Sequence, residues 1–284
     1  MAKNKTIPDF DSVTPWGAYR PSLVVNALLN FGQMLPNFMA VVTKVTRHPL
    51  KYWSKTSVDL VVWGLKLRVA PRGNISEQKL YTSPRNFDNV ELGCIRNVLK
   101  DGGVFFDIGA NAGIYSFWAH VCSKGQAQIL GFEPDVEMRR RIDFNIRSNR
   151  IESIKMLPFA LSDRAGTAEF WVNEGQRGTN SLDAPTHTHA TQRQIQVETR
   201  TLSDVIEQQK ISKIDVMKID IEGHEPQVLK HFFENVAPEY WPILLISEVS
   251  HLTDEETEKL VPKSHYEVIF ETKLNKIWKR KKQK

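Results

Sequence analysis

The sequence predicts an α/β domain built on a mostly parallel, doubly wound sheet with an antiparallel edge. Apolar runs of strand length alternate with helical patterns through the middle of the chain, as in sheets that helices cover on both faces. One of these runs ends in an acid and breaks into a glycine-rich turn before a helical pattern, which is typical of a buried strand passing into a helix. A chain of 284 residues with 41% hydrophobic content can bury a sizeable core, so one large domain with appendages is expected.

An N-terminal helical arm is predicted over residues 1–57. Residues 21–43 contain no charged side chain, which raises the question of a membrane span. Four amide side chains recur there at helical spacing and share one face: Asn26, Asn30, Gln33 and Asn37. Because Pro36 would also kink the helix, an amphipathic arm packed on the domain is favoured over a helix lying in a membrane interface. A spanning helix is favoured least.

The main domain is predicted over residues 58–272 and begins with a hairpin over 58–69, where polar and apolar residues alternate. Five strands of the sheet are then expected, over 104–108, 128–132, 154–160, 214–219 and 243–248. Helices lie between them, including 136–148 and 226–233, and an inserted antiparallel pair is expected over 169–172 and 195–200. Two final strands, 266–270 and 276–278, are expected to close the sheet as a hairpin, so residues 273–284 hold the last strand and a basic tail.

The tail accounts for the positive net charge of the chain. Residues 273–284 hold seven basic side chains and no acidic one, so taking 7 from the net charge of +5 leaves −2 for the rest. A body of this charge is not expected to bind nucleic acid, and Arg139, Arg140 and Arg141 are expected to form a solvated helix face. The tail could contact anionic lipid or nucleic acid, but a solvated terminus is favoured.

The two cysteines bear on location. Cys94 and Cys122 have no metal-binding spacing and are expected to be buried thiols in a reduced compartment. A cleavable signal is disfavoured because no small-residue cleavage pattern follows a compact apolar core. A cytoplasmic location is therefore predicted, with peripheral membrane contact through the arm or the tail as an addition. The oligomeric state is not predicted.

The glycine-rich turn has the pattern D-x-G-x-N-x-G, from Asp107 through Gly109 and Asn111 to Gly113. Its glycines would let the backbone approach a ligand closely, and Asn is one of the few other residues that tolerate a positive φ. The next strand ends in Glu133, from where a carboxylate could hold both hydroxyls of a ribose. A dinucleotide site would instead show G-x-G-x-x-G around a pyrophosphate, which an acid repels. The pattern therefore favours the cationic nucleoside S-adenosylmethionine as the ligand.

Five motifs occur in order over residues 87–248: FDIGANAG at 106–113, FEP at 132–134, ALSD at 160–163, TLSD at 201–204 and KIDIEGHE at 218–225. In these residues the chain resembles the FkbM family of S-adenosylmethionine-dependent methyltransferases. The resemblance implies a Rossmann-like class I methyltransferase fold that moves a methyl group to a hydroxyl oxygen. The implied partner is a small-molecule or glycan acceptor, such as a sugar, a glycan precursor or a natural product. The arm and the tail lie outside the resemblance.

The same resemblance implies which residues bind the cofactor, S-adenosyl-L-methionine. Its methionine end would be lined by residues of the glycine-rich turn, namely Asp107, Gly109, Ala110, Asn111 and Gly113. Glu133 would bind the ribose, and Ser162 and Asp163 would lie beside the adenine.

Methyl transfer to an alcohol needs a group that removes the hydroxyl proton, because an alcohol is a poor nucleophile. The strand over 214–219 delivers Asp220, Glu222 and His224 to the sheet edge where ligands bind, so these three are the predicted catalytic residues. Each has an alternative role. Asp220 could orient the cofactor, and His224 could be an exposed histidine outside the chemistry. Glu222 or Glu225 could simply favour the N-terminus of the next helix.

A metal ion is a separate question. Asp220, Glu222 and Glu248 are hard oxygen ligands that could hold a divalent cation. Carboxylates at strand ends are common in metal-free sites, so no metal is predicted. Glu248 could face the crevice or cap a neighbouring loop.

Two other classes of function compete with an O-methyltransferase. A nucleic-acid methyltransferase is disfavoured by the acidic body and by the residues 220–223, DIEG, which suit a hydroxyl acceptor better than a flipped base. A non-catalytic binding protein that retains the fold would have no need of the intact turn or of Glu133.

Overall fold

The structure is a computed structural model, and it describes residues 10–23, 25, 57–183, 192–272 and 274–282. Twelve strands lie within these residues: β1 (Val58–Val62), β2 (Leu65–Val69), β3 (Gly103–Ile108), β4 (Ala127–Phe132), β5 (Ile154–Leu157), β6 (Ala160–Leu161), β7 (Gly166–Asn173), β8 (Gln192–Arg200), β9 (Val216–Ile219), β10 (Leu244–Glu248), β11 (Tyr266–Glu271) and β12 (Asn275–Arg280). The α-helices are α1 (Ile75–Thr82), α2 (Asn89–Leu99), α3 (Ile114–Cys122), α4 (Val136–Asn149), α5 (Leu202–Gln208), α6 (Glu225–Asn235) and α7 (Asp254–Lys259).

Seven strands form the central sheet, in the order β11-β12-β10-β9-β3-β4-β5. The strands from β10 to β5 run parallel, and β12 is antiparallel to both β10 and β11. The predicted sheet with its antiparallel edge is therefore confirmed. Chain order reverses between β3 and β9, and in such sheets a ligand crevice opens outside the carboxyl ends of the strands at that point.

Helices cover both faces of the sheet, so alternate side chains of β3 are buried in two separate cores. Phe105 belongs to a cluster with Ile95 of α2 and Phe117 of α3. Phe106 points the other way, into a cluster with Phe232 of α6. Burying a phenylalanine side chain stabilises a fold by roughly 2 kcal/mol, so β3 is firmly anchored and carries its glycine-rich turn to a fixed place.

The strand predicted over 154–160 is wrong as a single element. β5 ends at Leu157, and β6 joins β8 and β7 in a separate three-stranded sheet of order β6-β8-β7. Pro158 lies between them, and a proline cannot donate a ladder hydrogen bond, so the chain leaves the central sheet there. The inserted antiparallel pair, β7 with β8, is confirmed as part of this small sheet.

The β1–β2 hairpin is fixed to α4 and to the N-terminal segment by buried polar contacts. The side chain of Asn145 accepts from the main-chain nitrogen of Arg68 at 2.7 Å and donates to its carbonyl at 3.0 Å. The Arg68 guanidinium pairs with Asp59 at 2.7 Å, with both side chains fully buried. Its other N–H groups donate to three carbonyls of the N-terminal segment, those of Asp11, Thr14 and Pro15.

The two chain ends were predicted as an arm and a tail. Residues 10–22 are turns and extended backbone, Leu23 and Val25 are helical, and the rest of the predicted 21–43 helix lies outside the described residues. Among the helices that are described, none is long and apolar enough to cross a bilayer.

Much of the predicted tail is β12 itself, in which Arg280 donates to the carbonyl of Pro238 at 3.0 Å. Membrane contact by either end stays a prediction.

The solvated arginine face expected on α4 is wrong for Arg141. Its side chain is buried and pairs with Glu77 of α1 and with Glu137. Arg139 also turns inward and donates to the carbonyl of Glu133 at 2.7 Å. The reason is that α1 brings the buried Glu77 carboxylate against this side of α4. An arginine there offsets a charge that would otherwise be buried alone.

Candidate active site

A single crevice at the carboxyl ends of β3, β4, β9 and β10 collects most of the predicted site residues. One part of its lining is made by the glycine-rich turn, the end of β4 and the start of the small sheet; it includes Gly109, Ala110, Asn111, Phe132, Glu133, Phe159, Leu161 and Phe170. The other part lies beyond the ends of β9 and β10 and includes Tyr115, Lys218, Asp220, Glu222 and Glu248. We call the first part the nucleoside wall and the second the carboxylate wall.

The turn after β3 is held by tight packing as well as by its backbone angles. Gly109 has a φ of 73°, and a Cβ atom there would lie 1.9 Å from the carbonyl oxygen of Asp220. At Gly113, with a φ of 72°, a Cβ atom would lie 3.0 Å from the side chain of Ile142. Asn111 takes a positive φ of 49°, as expected. The turn that follows β9 thus leaves no room for a side chain at Gly109, whereas at Gly113 the positive φ and the close Ile142 side chain disfavour one.

Glu133 lies at the end of β4 in the nucleoside wall and is almost fully buried. Its two carboxylate oxygens accept from the main-chain nitrogens of Asn111 at 2.7 Å and Asp135 at 2.8 Å. Burial, and next the charge of Asp135, raise the pKa of Glu133 to about 8. Each oxygen keeps a second lone pair for a further donor, so the arrangement is compatible with the predicted contact to ribose hydroxyls.

Asp107 is buried behind the turn and does not line the crevice. Its Oδ2 accepts from the main-chain nitrogen of Ser116 at 3.0 Å and from the Ser116 hydroxyl at 2.6 Å, which ties β3 to the first turn of α3. Its Oδ1 is buried and has no hydrogen-bond partner among the described residues. Burial raises the pKa of Asp107, although the nearby Lys218 opposes the effect.

Ser162, Asp163 and His224 also lie outside the crevice lining, whereas Ala160 and Leu161 just before them belong to it. The Ser162 hydroxyl lies 3.0 Å from Nε2 of His224, and Nδ1 of His224 lies 3.2 Å from Oδ2 of Asp183. Asp163 is half exposed and bonds to Ser162. His224 is therefore mostly buried in a chain of polar side chains behind the turn after β9, not exposed. Their roles in binding and catalysis stay predictions.

Asp220 and Lys218 form the centre of the carboxylate wall. The Lys218 ammonium lies 3.0 Å from Oδ2 of Asp220 and 5.0 Å from the centre of the Tyr115 ring. Burial raises the pKa of Asp220, but Lys218 and the neighbouring hydrogen bonds outweigh it and hold that pKa below its usual range. Lys218 is within the KIDIEGHE motif but was not predicted as a site residue, because a lysine inside an apolar strand gives no functional signal.

Glu222 and Glu248 complete the wall. Burial, and next the charge of Asp220, raise the pKa of Glu222 to about 9 and that of Glu248 to about 8. Oε2 of Glu222 lies 3.2 Å from Nε2 of His251, which lies 3.6 Å from Oε1 of Glu248. His251 was missed in the sequence, because a single histidine three residues beyond a strand carries no pattern.

Glu225 holds the turn that precedes α6. Its carboxylate accepts from the main-chain nitrogens of Ile221 at 2.7 Å and Gly223 at 2.9 Å. The side chain is buried at the start of α6 and holds the turn that carries Glu222. Glu222, in contrast, has a positive φ of 57° and points its carboxylate into the crevice lining.

A segment of the inserted hairpin closes over the nucleoside wall. Residues 176–180 line the crevice, and the Arg177 guanidinium pairs with Asp135 at 2.6 Å. The side chain of Asn180 donates to the same carboxylate at 3.0 Å, and the main-chain nitrogen of Arg177 donates to the carbonyl of Gly73 at 2.8 Å. The sequence does not reveal this attachment, since a salt bridge between distant segments leaves no local pattern.

The two walls fit the chemistry of S-adenosylmethionine. The aromatic side chains of Phe132, Phe159 and Phe170 offer an apolar surface to an adenine, with Glu133 at its edge for the ribose. The Asp220 carboxylate across the crevice, whose pKa is held below its usual range, suits a cationic sulfonium. The residues that the sequence singled out at the ends of β4 and β9 thus lie in one crevice.

Known proteins resemble this chain over the same region. Residues 107–272 match the Methyltransferase FkbM domain. The hexuronic acid methyltransferase AglP of Haloferax volcanii is 29% identical over 132 residues, which cover 46% of this chain and 50% of that protein. The methyltransferase sdnD of Sordaria araneosa is 27% identical over 165 residues, which cover 49% of this chain and 62% of that protein. The chain therefore spans only about half to three-fifths of these relatives.

Among solved structures, the methyltransferase domain of METTL16 superposes with a TM-score of 0.44 and 13% identity, over 77% of this chain and 73% of that one. The match to the Methyltransferase FkbM domain covers more than half of this chain, which is a larger share than either curated relative matches. This match runs from the end of β3 to just past β11 and so takes in both walls of the crevice. The chain therefore belongs to the FkbM family of methyltransferases, with S-adenosyl-L-methionine as its cofactor.

Proposed function

We propose that this protein transfers a methyl group from S-adenosyl-L-methionine to a hydroxyl oxygen of a sugar, a glycan precursor or a related natural product. The observation that carries the proposal is the position of Asp220 and Glu222, which line the same crevice as the Glu133 end of the nucleoside wall. Carboxylates in this position can accept a hydroxyl proton, which is what an alcohol acceptor requires.

S-Adenosylmethionine, when bound, supplies an activated methyl group, and its transfer to a hydroxyl leaves one proton to be removed. Asp220 is the proposed proton acceptor. Its Oδ2 is held by Lys218 at 3.0 Å, so the carboxylate has a fixed orientation in the lining of the crevice. The Tyr115 ring packs beneath the Lys218 ammonium and keeps this pair in place. Proper orientation of acceptor and base is the main contribution a protein can make to such a transfer.

The acceptor class is proposed from the carboxylate wall and from the relatives. One relative is named a hexuronic acid methyltransferase, which supports a sugar acid as the first acceptor to test. Lys79 also lines the crevice, and its ammonium, 3.8 Å from Asp88, is partly exposed and could pair with an acceptor carboxylate. A polyhydroxylated acceptor fits the polar lining that Lys79, Asp88 and Asn275 provide.

The proposal is tested by incubating the full chain with methyl-tritiated S-adenosylmethionine and a panel of acceptors: uronic acid glycosides, neutral sugars, a catechol, an amine and an RNA oligonucleotide. We expect label in a sugar and not in the amine or the RNA. Mild alkali distinguishes the two oxygen products, because a methyl ester is hydrolysed and a methyl ether is not. Label that alkali releases completely, or label only in the amine or the RNA, would contradict hydroxyl methylation.

A further inference from the structure

Three side chains beside the crevice bring their donor atoms close together: those of Glu222, Glu248 and His251. Nε2 of His251 lies 3.2 Å from Oε2 of Glu222 and 3.6 Å from Oε1 of Glu248. One ligand atom from each residue lies within 4.8 Å of the other two. We call these three residues the Glu–Glu–His cluster.

The spacing within the cluster matches the coordination sphere of a divalent cation. With oxygen and nitrogen ligands at about 2.1 Å from a metal, atoms at neighbouring octahedral positions are about 3 Å apart. The two distances from His251, 3.2 and 3.6 Å, are close to that value. A set of two carboxylates and one imidazole is a mixed donor set, not a group of acids only.

Glu248 offers a buried oxygen to the cluster. Its Oε2 is buried and accepts no hydrogen bond from a donor among the described residues, and its carboxyl bonds to that of Asp220 only when one of the two acids carries a proton. Its other oxygen accepts from the Ser250 hydroxyl. A buried carboxylate oxygen without a donor costs free energy, and the nearest buried ammonium, Lys218, is already bonded to Asp220. A cation bound at Glu248 would satisfy it.

The backbone holds the cluster in place from two neighbouring strands. Glu248 is the last residue of β10, which pairs in parallel with β9, and Glu222 lies in the turn after β9. That turn is fixed from behind by Glu225. Both Glu222 and Glu248 line the crevice, so a cation at the cluster would have its remaining positions directed toward the acceptor.

We propose that Glu222, Glu248 and His251 bind a divalent transition-metal cation, and that an oxygen of the acceptor occupies one of its open positions. This proposal rests on the proposed function, which it deepens by assigning how the acceptor is held. The cation keeps its oxidation state: it withdraws electron density from the hydroxyl oxygen and so lowers the pKa of that hydroxyl. The O–H bond breaks, its electron pair stays on the oxygen, and the proton passes to the Asp220 carboxylate. An acceptor with two adjacent oxygens, as in a sugar, would chelate best.

The donor set also predicts which cation binds. Carboxylates accept Mg²⁺ and Mn²⁺, whereas an imidazole ligand favours transition metals. We expect the protein to bind Mn²⁺ more tightly than Mg²⁺, with His251 as the source of the preference. An imidazole binds a metal in its neutral form. A simple ion pair with Glu222 would instead need a protonated imidazolium at His251, so the two arrangements differ.

The experiment measures Mn²⁺ binding to the full chain without cofactor, by the electron paramagnetic resonance signal of the free ion. The expected result is one site, at least tenfold weaker in His251→Ala and in Glu222→Gln. Glu255→Gln is the matched control, because Glu255 is an exposed acid that pairs with Lys259 in α7. Its Mn²⁺ affinity should equal that of the wild type. His251→Gln is measured as well, and S-adenosylhomocysteine binding verifies that each variant is folded.

Two results would overturn the cation site: no Mn²⁺ site in the wild type, or equal Mn²⁺ affinity in the wild type and in folded His251→Ala. Because the readout is ion binding, it does not depend on finding an acceptor. If hydroxyl methylation proceeds at full rate in the presence of a chelator, the cation proposal fails while the proposed function stands. If Mn²⁺ binds at the cluster and only an amine or RNA is methylated, the site stands and the proposed function fails.

Discussion

The carbonyl oxygen of Asp220 lies 1.9 Å from the position that a Cβ atom would take on Gly109. The turn after β3, which belongs to the nucleoside wall, and the turn after β9, which carries the carboxylate wall, are therefore packed backbone against backbone. The main-chain nitrogen of Asp220 also donates to the carbonyl of Ile108 at 3.1 Å. Movement of either turn would displace both walls of the crevice.

Gly109→Ala should therefore disrupt the site far more than its backbone angle alone requires. An alanine at positive φ costs about 1 kcal/mol, whereas a Cβ atom 1.9 Å from a carbonyl oxygen forces the two turns apart. We expect a lower melting temperature and at least a tenfold loss of S-adenosylhomocysteine affinity by calorimetry. Gly64→Ala is the control, because Gly64 has a φ of 84° with nothing within 4 Å of the added atom. Equal shifts in melting temperature for the two variants would show that the contact is not important.

The affinity for S-adenosylhomocysteine should rise as the pH increases through about 8. Burial raises the pKa of Glu133 to about 8, so the carboxyl is largely protonated at lower pH and ionised above it. The ionised carboxylate is the stronger acceptor for ribose hydroxyls, so binding favours it. Calorimetry between pH 6.5 and 9 measures the effect.

Two variants separate the contribution of Glu133 to this pH dependence from the contribution of the ligand's own amino group. Glu133→Gln should bind the ligand weakly and lose the part of the pH dependence that the wild type shows near pH 8. Glu198→Gln, which changes an exposed acid of β8, should keep the wild-type profile. An unchanged affinity and profile in Glu133→Gln would remove Glu133 from the nucleoside site.

Some residues of the site could be predicted from the sequence, and others could not. Glu133 and Asp220 were predicted because each ends an apolar strand, and parallel strands bring such ends to one edge of the sheet. His251 and Arg177 were not, because they lie in short connecting segments whose sequences have no regular pattern. The reason for Gly109 could not be found locally either, since the contacting carbonyl lies in a turn more than a hundred residues away.

The same limits apply to the fold. The central strands were predicted from apolar runs, yet the run over 154–160 concealed a change of sheet at Pro158. An apolar run tells where a strand is buried, but not which sheet receives it. Arg141 shows the corresponding limit for charge, because only the buried Glu77 of α1 makes an arginine on α4 an interior residue.

Asp220→Asn should lower the rate of methyl transfer much more than it lowers cofactor affinity. An asparagine keeps the size of the side chain and can still contact Lys218, but it cannot accept the hydroxyl proton. Loss of a general base typically costs about 10² in rate or more. Single-turnover rates and S-adenosylhomocysteine affinity are compared with those of Asp101→Asn, an exposed acid. Equal losses in rate and affinity for Asp220→Asn would make this residue a cofactor ligand.

The buried pair of Arg68 and Asp59 should stabilise the fold in a pH-dependent way. Burial raises the pKa of Asp59, but the Arg68 hydrogen bond and the amides of Tyr19 and Gly17 outweigh it and lower that pKa below its usual range. A lowered pKa in the folded state gives stability that is present above the ordinary pKa of an aspartate, about 3.9, and is lost as the pH falls through the folded value.

Asp59→Asn should therefore destabilise the protein by roughly 3 kcal/mol at pH 7, since it leaves a buried guanidinium without its counter-charge. Urea unfolding at pH 7 and at pH 3.5 measures the difference, which should shrink at the lower pH. Glu255→Gln again serves as the exposed control. A difference between Asp59→Asn and the wild type that grows on acidification would contradict the sign of the linkage.

Arg177 should control how long the cofactor stays bound. Its guanidinium pairs with Asp135 at 2.6 Å, and Asp135 in turn donates through its main-chain nitrogen to Glu133 at 2.8 Å. The segment 176–180 is thus fastened, through Asp135, to Glu133 in the nucleoside wall, the predicted ribose ligand. Arg177→Ala should speed dissociation of S-adenosylhomocysteine about fivefold or more in stopped-flow displacement, with a smaller effect on association.

The control is Arg193→Ala, which removes an arginine of the same hairpin that pairs with Glu174 at the surface, where both side chains are about half exposed. An exposed pair of this kind contributes little to stability, so its loss should leave the dissociation rate unchanged. If both variants release the ligand at the wild-type rate, the segment does not retain the cofactor. If both release it equally fast, retention depends on the hairpin as a whole and not on its attachment to Asp135.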